Sequence, residues 1–264
     1  MDETSPETSW TQVNIDFPSQ DPQERERQAV AHLGSVLPDA EVDGLITSWF
    51  FIRKDRWRIR YLPTETSNRG DCSVHPLLTQ GVAWTSDIYE PEIHAFGGHA
   101  SMDTAHELFH ADSRNLLAFL NGAPTDRRER SLILCTALMR AAGLELEEQG
   151  DVWARIAEQR SVLRREPPEP ATWASFTDDV RQLLLGTARP EDIGNDWLTA
   201  FEKAGRQLKA LRNSGRLTRG IRSVTALHVI FHWNRIGIPG IAQAALAQAA
   251  NEAIFPGMAA ADLA

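Results

Sequence analysis

The change of hydrophobic period at Gly97-Gly98 constrains the fold more than any other feature of the chain. Before it, the apolar residues fall in short stretches with strand character. Trp10–Phe17 alternates apolar and polar residues, the period of a half-buried strand. Thr47–Arg53 and Arg56–Leu62 are aromatic and β-branched, separated by Lys54-Asp55 and predicted to form a hairpin. Gly81–Tyr89 supplies a further strand, and Gln23–Leu37 reads as a charged surface helix. After Gly97-Gly98 the apolar residues recur every three or four positions. The spacing predicts helices over 99–120, 127–142, 147–163, 173–185, 197–211, 221–235 and 241–253. Their breaks fall at Gly122–Pro124, Gly143, Pro167–Pro170, Arg189-Pro190, Asn213–Gly215 and Gly237–Gly240. The expectation is an α+β fold: a small N-terminal antiparallel sheet packed on a larger helical part, with 1–264 as a single domain.

The 264 residues are 42% hydrophobic and 24% charged, which excludes a mainly disordered or fibrous chain. No apolar stretch is long enough to span a bilayer, and the acidic start Met1-Asp2-Glu3, with no apolar run behind it, leads us to expect no secretory signal. Two cysteines, Cys72 and Cys135, are too few for a disulfide framework, so reduced thiols and a cytoplasmic setting are expected. The net charge of −9 argues against a general nucleic-acid binder.

His106-Glu107-Leu108-Phe109-His110 spells HExxH, a spacing that places two histidines on one helix face, where they can bind zinc with the glutamate as base. A catalytic zinc needs a third ligand. The positions where one common continuation has glycine and histidine hold Ser113 and Leu116, and nothing marks out Glu129 as a substitute. No metal is therefore expected. No GxGxxG or P-loop motif points to a nucleotide cofactor either.

The segment Tyr89-Glu90-Pro91-Glu92-Ile93-His94-Ala95-Phe96-Gly97-Gly98, followed by Met102, Ala105, His106 and Leu108–Ser113, resembles the thiopeptide-type bacteriocin biosynthesis domain. That is the fold of the C-terminal elimination part of class I lanthipeptide dehydratases. Three further blocks match in order: Trp49–Arg53 with Arg58-Ile59-Arg60, Gly150–Trp153, and His228–Arg235. Two departures stand out. The elimination domains tend to have Arg-Tyr where this chain has Ala95-Phe96, and a histidine where it has Ile230. These forms look like the standalone pyridine synthases of thiopeptide biosynthesis.

The resemblance implies a formal [4+2] aza-cycloaddition between two dehydroalanines of a modified precursor peptide. Loss of water, then of the leader peptide as an amide, gives a pyridine-centred macrocycle. No net redox change occurs, so no cofactor is expected. Positioning two distant residues of one peptide is the main task, and proton transfers are the rest. Candidate groups are Tyr89 as donor to the amide oxygen, Glu92 as base, and Ser223, His228 and His232 on the segment that also carries Arg235. A pocket is expected between Tyr89–Gly98 and the His228–Arg235 helix. Trp49, Trp84 and Trp233 are candidates to stack on azole rings, with Arg235 as a further substrate contact.

Lys203, Arg206, Lys209, Arg212, Arg216, Arg219 and Arg222 form a basic run with no acid between them. It reads either as a solvated face or, as the resemblance implies, as a leader-docking surface involving Arg206, Arg212, Arg216 and Arg219. The partner is thus the precursor peptide, with no membrane contact, and a homodimer stays open. Three other functions remain: the glutamate-eliminating subunit of a split dehydratase, a zinc hydrolase, and a leader-binding scaffold without activity.

Overall fold

The computed structural model describes residues 10–64, 73–122, 124–163, 165, 168–186 and 193–256. Cys72 and the expected breaks around Pro167 and Arg189-Pro190 lie outside the described residues. The chain forms two compact units, Met1–Pro91 with Phe109–Pro124, and Glu92–Leu108 with Thr125–Ala264.

The first unit contains one antiparallel sheet. Its strands are β1 (Thr11–Asp16), β2 (Ile46–Arg53), β3 (Trp57–Pro63) and β4 (Ala83–Asp87), in the order β2-β3-β1-β4. The expected hairpin is β2–β3, with Phe51 opposite Ile59. In β1, Val13 pairs with Ile59 on one side and with Ser86 of β4 on the other. Val13, Ile15, Trp49, Phe50, Phe51 and Ile59 have no exposed surface and form the core. That core is covered by α1 (Pro22–Val42) and by residues 109–121 of α3 (His99–Asn121). Asp21 caps α1, its carboxylate accepting from the Gln23 and Glu24 N–H groups, and Pro22 occupies the first turn, where no N–H is needed. A six-residue helix, α2 (Val74–Thr79), was not expected. It starts where the Ser73 hydroxyl accepts from the His75 N–H.

The second unit is helical. It takes residues 99–108 of α3, then α4 (Arg127–Ala141), α5 (Leu146–Gln159), α6 (Pro170–Leu185), α7 (Asn195–Asn213), α8 (Ile221–Ile236) and α9 (Gly240–Ile254). The predicted 147–163 helix ends early, at Gln159, and a 3-10 turn (Ser161–Leu163) completes it. α8 has eleven buried residues among its sixteen, including His228, His232 and Arg235, so it is a core helix. Among the described residues no helix is long and apolar enough to cross a membrane.

Candidate functional site

Tyr89 follows β4 and is 8% exposed. The Arg60 guanidinium lies over its ring at 4.1 Å, while Trp10 and Phe50 meet it edge-on at 6.1 and 5.7 Å. Arg60 is itself fixed, its Nε donating to Gln12 Oε1 at 2.7 Å. Gln12 in turn donates to Asp87 at 2.9 Å. Asn14 and the Ile88 N–H hold the Asp87 carboxyl below the usual carboxylate range. The Tyr89 ring is thus buried just past a strand end and held in place by a charge-assisted stack. Arg60, not among the candidate residues above, also belongs to this cluster. The sequence marks it as an arginine set between Ile59 and Tyr61 in the middle of a buried strand, a costly place for a charge unless it has a partner.

In the second unit, Glu92 is exposed and opens a turn in which its carbonyl accepts from the Phe96 N–H at 2.9 Å. Gly97 and Gly98 have φ of +85° and +107°, which favours glycine at both. A Cβ on Gly97 would also meet Leu217 Cδ1 at 2.9 Å. The Thr218 N–H donates to the Gly97 carbonyl at 3.0 Å, and Arg219 donates to the Ala95 carbonyl at 2.8 Å. The 92–98 turn is therefore tied to the loop that precedes α8. Ser223 is half-buried in the first turn of α8.

The other α8 candidates are placed differently from expectation. His228 is 1% exposed, and His232 and Arg235 are 0%. The His228 ring meets Phe96 edge-on at 5.1 Å, and His232 meets Phe201 at 5.0 Å. In this arrangement they sit in the core, so the expectation that they line a substrate pocket is corrected. Burial, and after it the charge of Arg235, push the His228 imidazole down to about 3. Trp233 is also fully buried, stacked on Trp153 at 5.9 Å with its Nε1 donating to Ser131 at 2.7 Å. Trp49 is fully buried as well, its Nε1 donating to Glu41 at 3.0 Å. Neither can stack on a substrate ring. Trp84, 43% exposed, can, and the His75 ring of α2 meets it edge-on at 4.7 Å.

The HExxH residues serve other ends. The Lys203 ammonium at 2.8 Å, and then the Gln207 amide at 3.1 Å, hold the Glu107 carboxyl below its usual range. His110 lies along the outer edge of β2, its Nδ1 3.2 Å from Trp49 N and 2.9 Å from Trp49 O, and its Nε2 faces Glu41 at 3.4 Å. Among the described residues no group of three or more His, Cys, Asp or Glu is placed to hold a metal ion. His110 also meets Trp49 edge-on at 5.5 Å. We expect His110→Ala to cost about 2 kcal/mol, from an orphaned strand N–H and a lost ring contact. Urea denaturation reads this as a lower midpoint. An unchanged midpoint would show that the ring does not seal the edge.

The basic run is partly neutralised by acids from elsewhere in the chain. Lys203 pairs with Glu107, Arg206 with Glu202 at 3.3 Å, and Arg222 with Asp151. Arg206 is therefore not the bare cation that its sequence neighbours suggest. Lys209, Arg212 and Arg216 are exposed, with no carboxylate in ion-pair reach among the described residues. Together with Arg219 they leave a smaller basic patch around the C-terminal end of α7.

The profile of the lantibiotic biosynthesis dehydratase C-terminal family matches residues 10–254, and the chain belongs to that family. It is thereby related to enzymes of ribosomal-peptide antibiotic biosynthesis. No curated protein matches the chain in sequence. Among solved structures it is similar to the tRNA-dependent lantibiotic dehydratase MibB from Microbispora sp. 107891, with 20% identity over 95% of this chain and a TM-score of 0.61. The chain spans 28% of MibB's length. It is also similar to TsrL, at 14% identity over 92% of this chain and 93% of TsrL, TM-score 0.60. The pyridine synthase TbtD from thiomuracin biosynthesis is 12% identical over 93% of this chain and 97% of TbtD, again with a TM-score of 0.60. At these identities the likeness is one of fold.

Proposed function

We propose that the chain is a pyridine synthase acting on a modified precursor peptide. It joins two dehydroalanines by formal [4+2] aza-cycloaddition and releases water and then the leader as an amide. The whole matched stretch acts as one functional domain, and the reaction needs no redox cofactor because no electrons are gained or lost overall. The observation that carries this reading is the pair Ala95-Phe96. Where elimination domains of this family tend to have Arg-Tyr, Ala95 has no charged side chain, and Phe96 is fully buried against Phe231 at 5.2 Å. The cation expected to hold a glutamyl ester is replaced by methyl and phenyl groups. Tyr89 acts as proton donor to the amide oxygen that becomes the imidic tautomer. Glu92 serves as base, and Ser223 as a neutral hydrogen-bonding group.

The test is mass spectrometry of the protein with a leader-bearing, azole-containing peptide that has two dehydroalanines. Loss of water plus leader supports the proposal. Conversion of a glutamylated serine to dehydroalanine, without ring formation, replaces it with elimination. Tyr89→Phe is expected to lower kcat at least ~100-fold, the low end for general acid catalysis. Leader affinity should not change, because the hydroxyl works in the transition state. An equal kcat would move the donor elsewhere.

The residual patch of Lys209, Arg212, Arg216 and Arg219 binds an acidic leader. Exposed charge contacts weaken as the Debye length falls from ~10 Å at 0.1 M salt to ~3 Å at 1 M. Leader anisotropy should therefore drop with salt. Arg212→Glu with Arg216→Glu should raise Kd by about tenfold or more, since like charges then face the leader. Salt-independent binding, equal in the double variant, would make the patch a solvated face.

A further inference from the structure

The sheet has two edges, and they are finished in opposite ways. At the β2 edge, Trp49 and Phe51 are alternate residues whose N–H groups point outward, and α3 supplies a partner to each. His110 meets Trp49, and Ser113 Oγ accepts from Phe51 N at 3.3 Å. Arg53, at the end of the same strand, pairs with Glu26 of α1 at 2.5 Å. At the other edge, all five residues of β4 are exposed, and among the described residues no element pairs with its outer side. A bare strand edge is a template for another strand, and proteins normally guard it with lysine, proline or a bulge. Ala83–Asp87 has none of these, and its one charge, Asp87, is held by Gln12 and Asn14 of β1. Trp84, on this strand, is 43% exposed, and Ile88, just past its end, is 83% exposed.

We propose that β4 is the docking edge for an extended, uncharged stretch of the peptide substrate, which adds as a fifth strand beside it. Trp84 receives one of the peptide's flat aromatic rings, with His75 closing the far side of the indole. The proposal rests on the peptide-substrate reading above. Strand addition recognises main chain, and it tolerates side chains that have been chemically altered. The rival occupant is a second copy of the chain. A stable interface between folded proteins buries about 1,200–2,000 Å² from some 20–30 residues a side. A five-residue strand with one exposed indole on it and Ile88 just past its end offers far less. It suits a peptide segment whose hold is shared with a second contact on the same chain, because linkage raises the local concentration of the weaker site.

Hydrogen–deuterium exchange on the full chain tests this, with a synthetic leaderless heptapeptide carrying two thiazoles and no charged side chains as probe. Amides over residues 83–88 should exchange at least tenfold more slowly with the probe bound, at unchanged sedimentation coefficient. Trp84→Ala should raise the probe's Kd about tenfold. Ser86→Lys, which guards the edge without removing the indole, should do the same. Three results would overturn the proposal: no binding at millimolar probe, binding without protection of 83–88, or protection that appears without probe as the protein dimerises. Cyclisation of the full precursor with β4 unprotected sinks the edge proposal alone. Probe protection at β4 with no cyclisation sinks the pyridine synthase assignment alone.

Discussion

Lowering the pH from 7 to 4 should weaken the fold by about 3 kcal/mol through the single side chain of His228. The imidazole is 1% exposed, and burial followed by the charge of Arg235 pushes it from 6.5 down to about 3. In the unfolded chain it takes up a proton near its ordinary value. The folded value is the depressed one, so its contribution is fully present above 6.5. It is lost as the pH falls from there toward about 3, where the folded ring also protonates. The loss is a large share of a typical domain's ~5–15 kcal/mol. Urea titrations at several pH values measure it. His228→Leu, close in volume and without a titrating group, should have a shallower acid limb between pH 6.5 and 4 than the parent. Parallel limbs would mean that other groups carry the acid sensitivity.

Gly205→Val should lower Tm by roughly 6–12 °C, corresponding to about 3 kcal/mol of overpacking. Gly205 lies where α7 crosses α4, and any Cβ there meets the Leu138 carbonyl oxygen, Ala141 Cβ at 2.7 Å and Ala142 N at 2.9 Å. Two of these atoms are backbone, so the clash cannot be relieved by turning a flexible side chain. Gly34, in the exposed middle of α1, is the matched control, because a Cβ there would have nothing within 4 Å. There Gly34→Ala should raise stability by about 0.5–1 kcal/mol, because the unfolded chain loses freedom while the helix gains a better former. Calorimetry of the two variants side by side checks both signs. An unchanged Tm for Gly205→Val would show that α4 and α7 can separate at little cost.

Both glycines look alike in the sequence, and the same is true of the candidate site residues. Helical spacing placed His228 and His232 on one face of α8, and the structure agrees that they share it. Spacing does not say what covers that face, and Phe96 and Phe201, distant in the chain, cover it. Trp49, Trp84 and Trp233 were equivalent as letters. Of the three, only Trp84 stands on a strand with no element beyond it among the described residues, and only Trp84 keeps an exposed indole. His110 belonged to a motif whose spelling suggested a metal, yet its ring closes a strand edge 61 residues away in the chain. The six-residue α2 was missed because so short a segment shows less than two turns of any period.

What the sequence determined by itself was local. Alternation placed β1, aromatic and β-branched content placed the β2–β3 hairpin, the three-and-four spacing placed the long helices, and the glycines at 97 and 98 marked where one regime gives way to the other. These follow from backbone geometry, which acts over a few residues. The Tyr89–Gly98 and His228–Arg235 segments were also legible, as patterns of residue type. Only the tertiary structure decided which polar groups reach solvent, which cations keep their charge unanswered, and which edge of the sheet stays bare. Those outcomes depend on burial and pairing between segments far apart in the chain, where a neighbour many turns away in sequence sets the dielectric and fills the hydrogen bond.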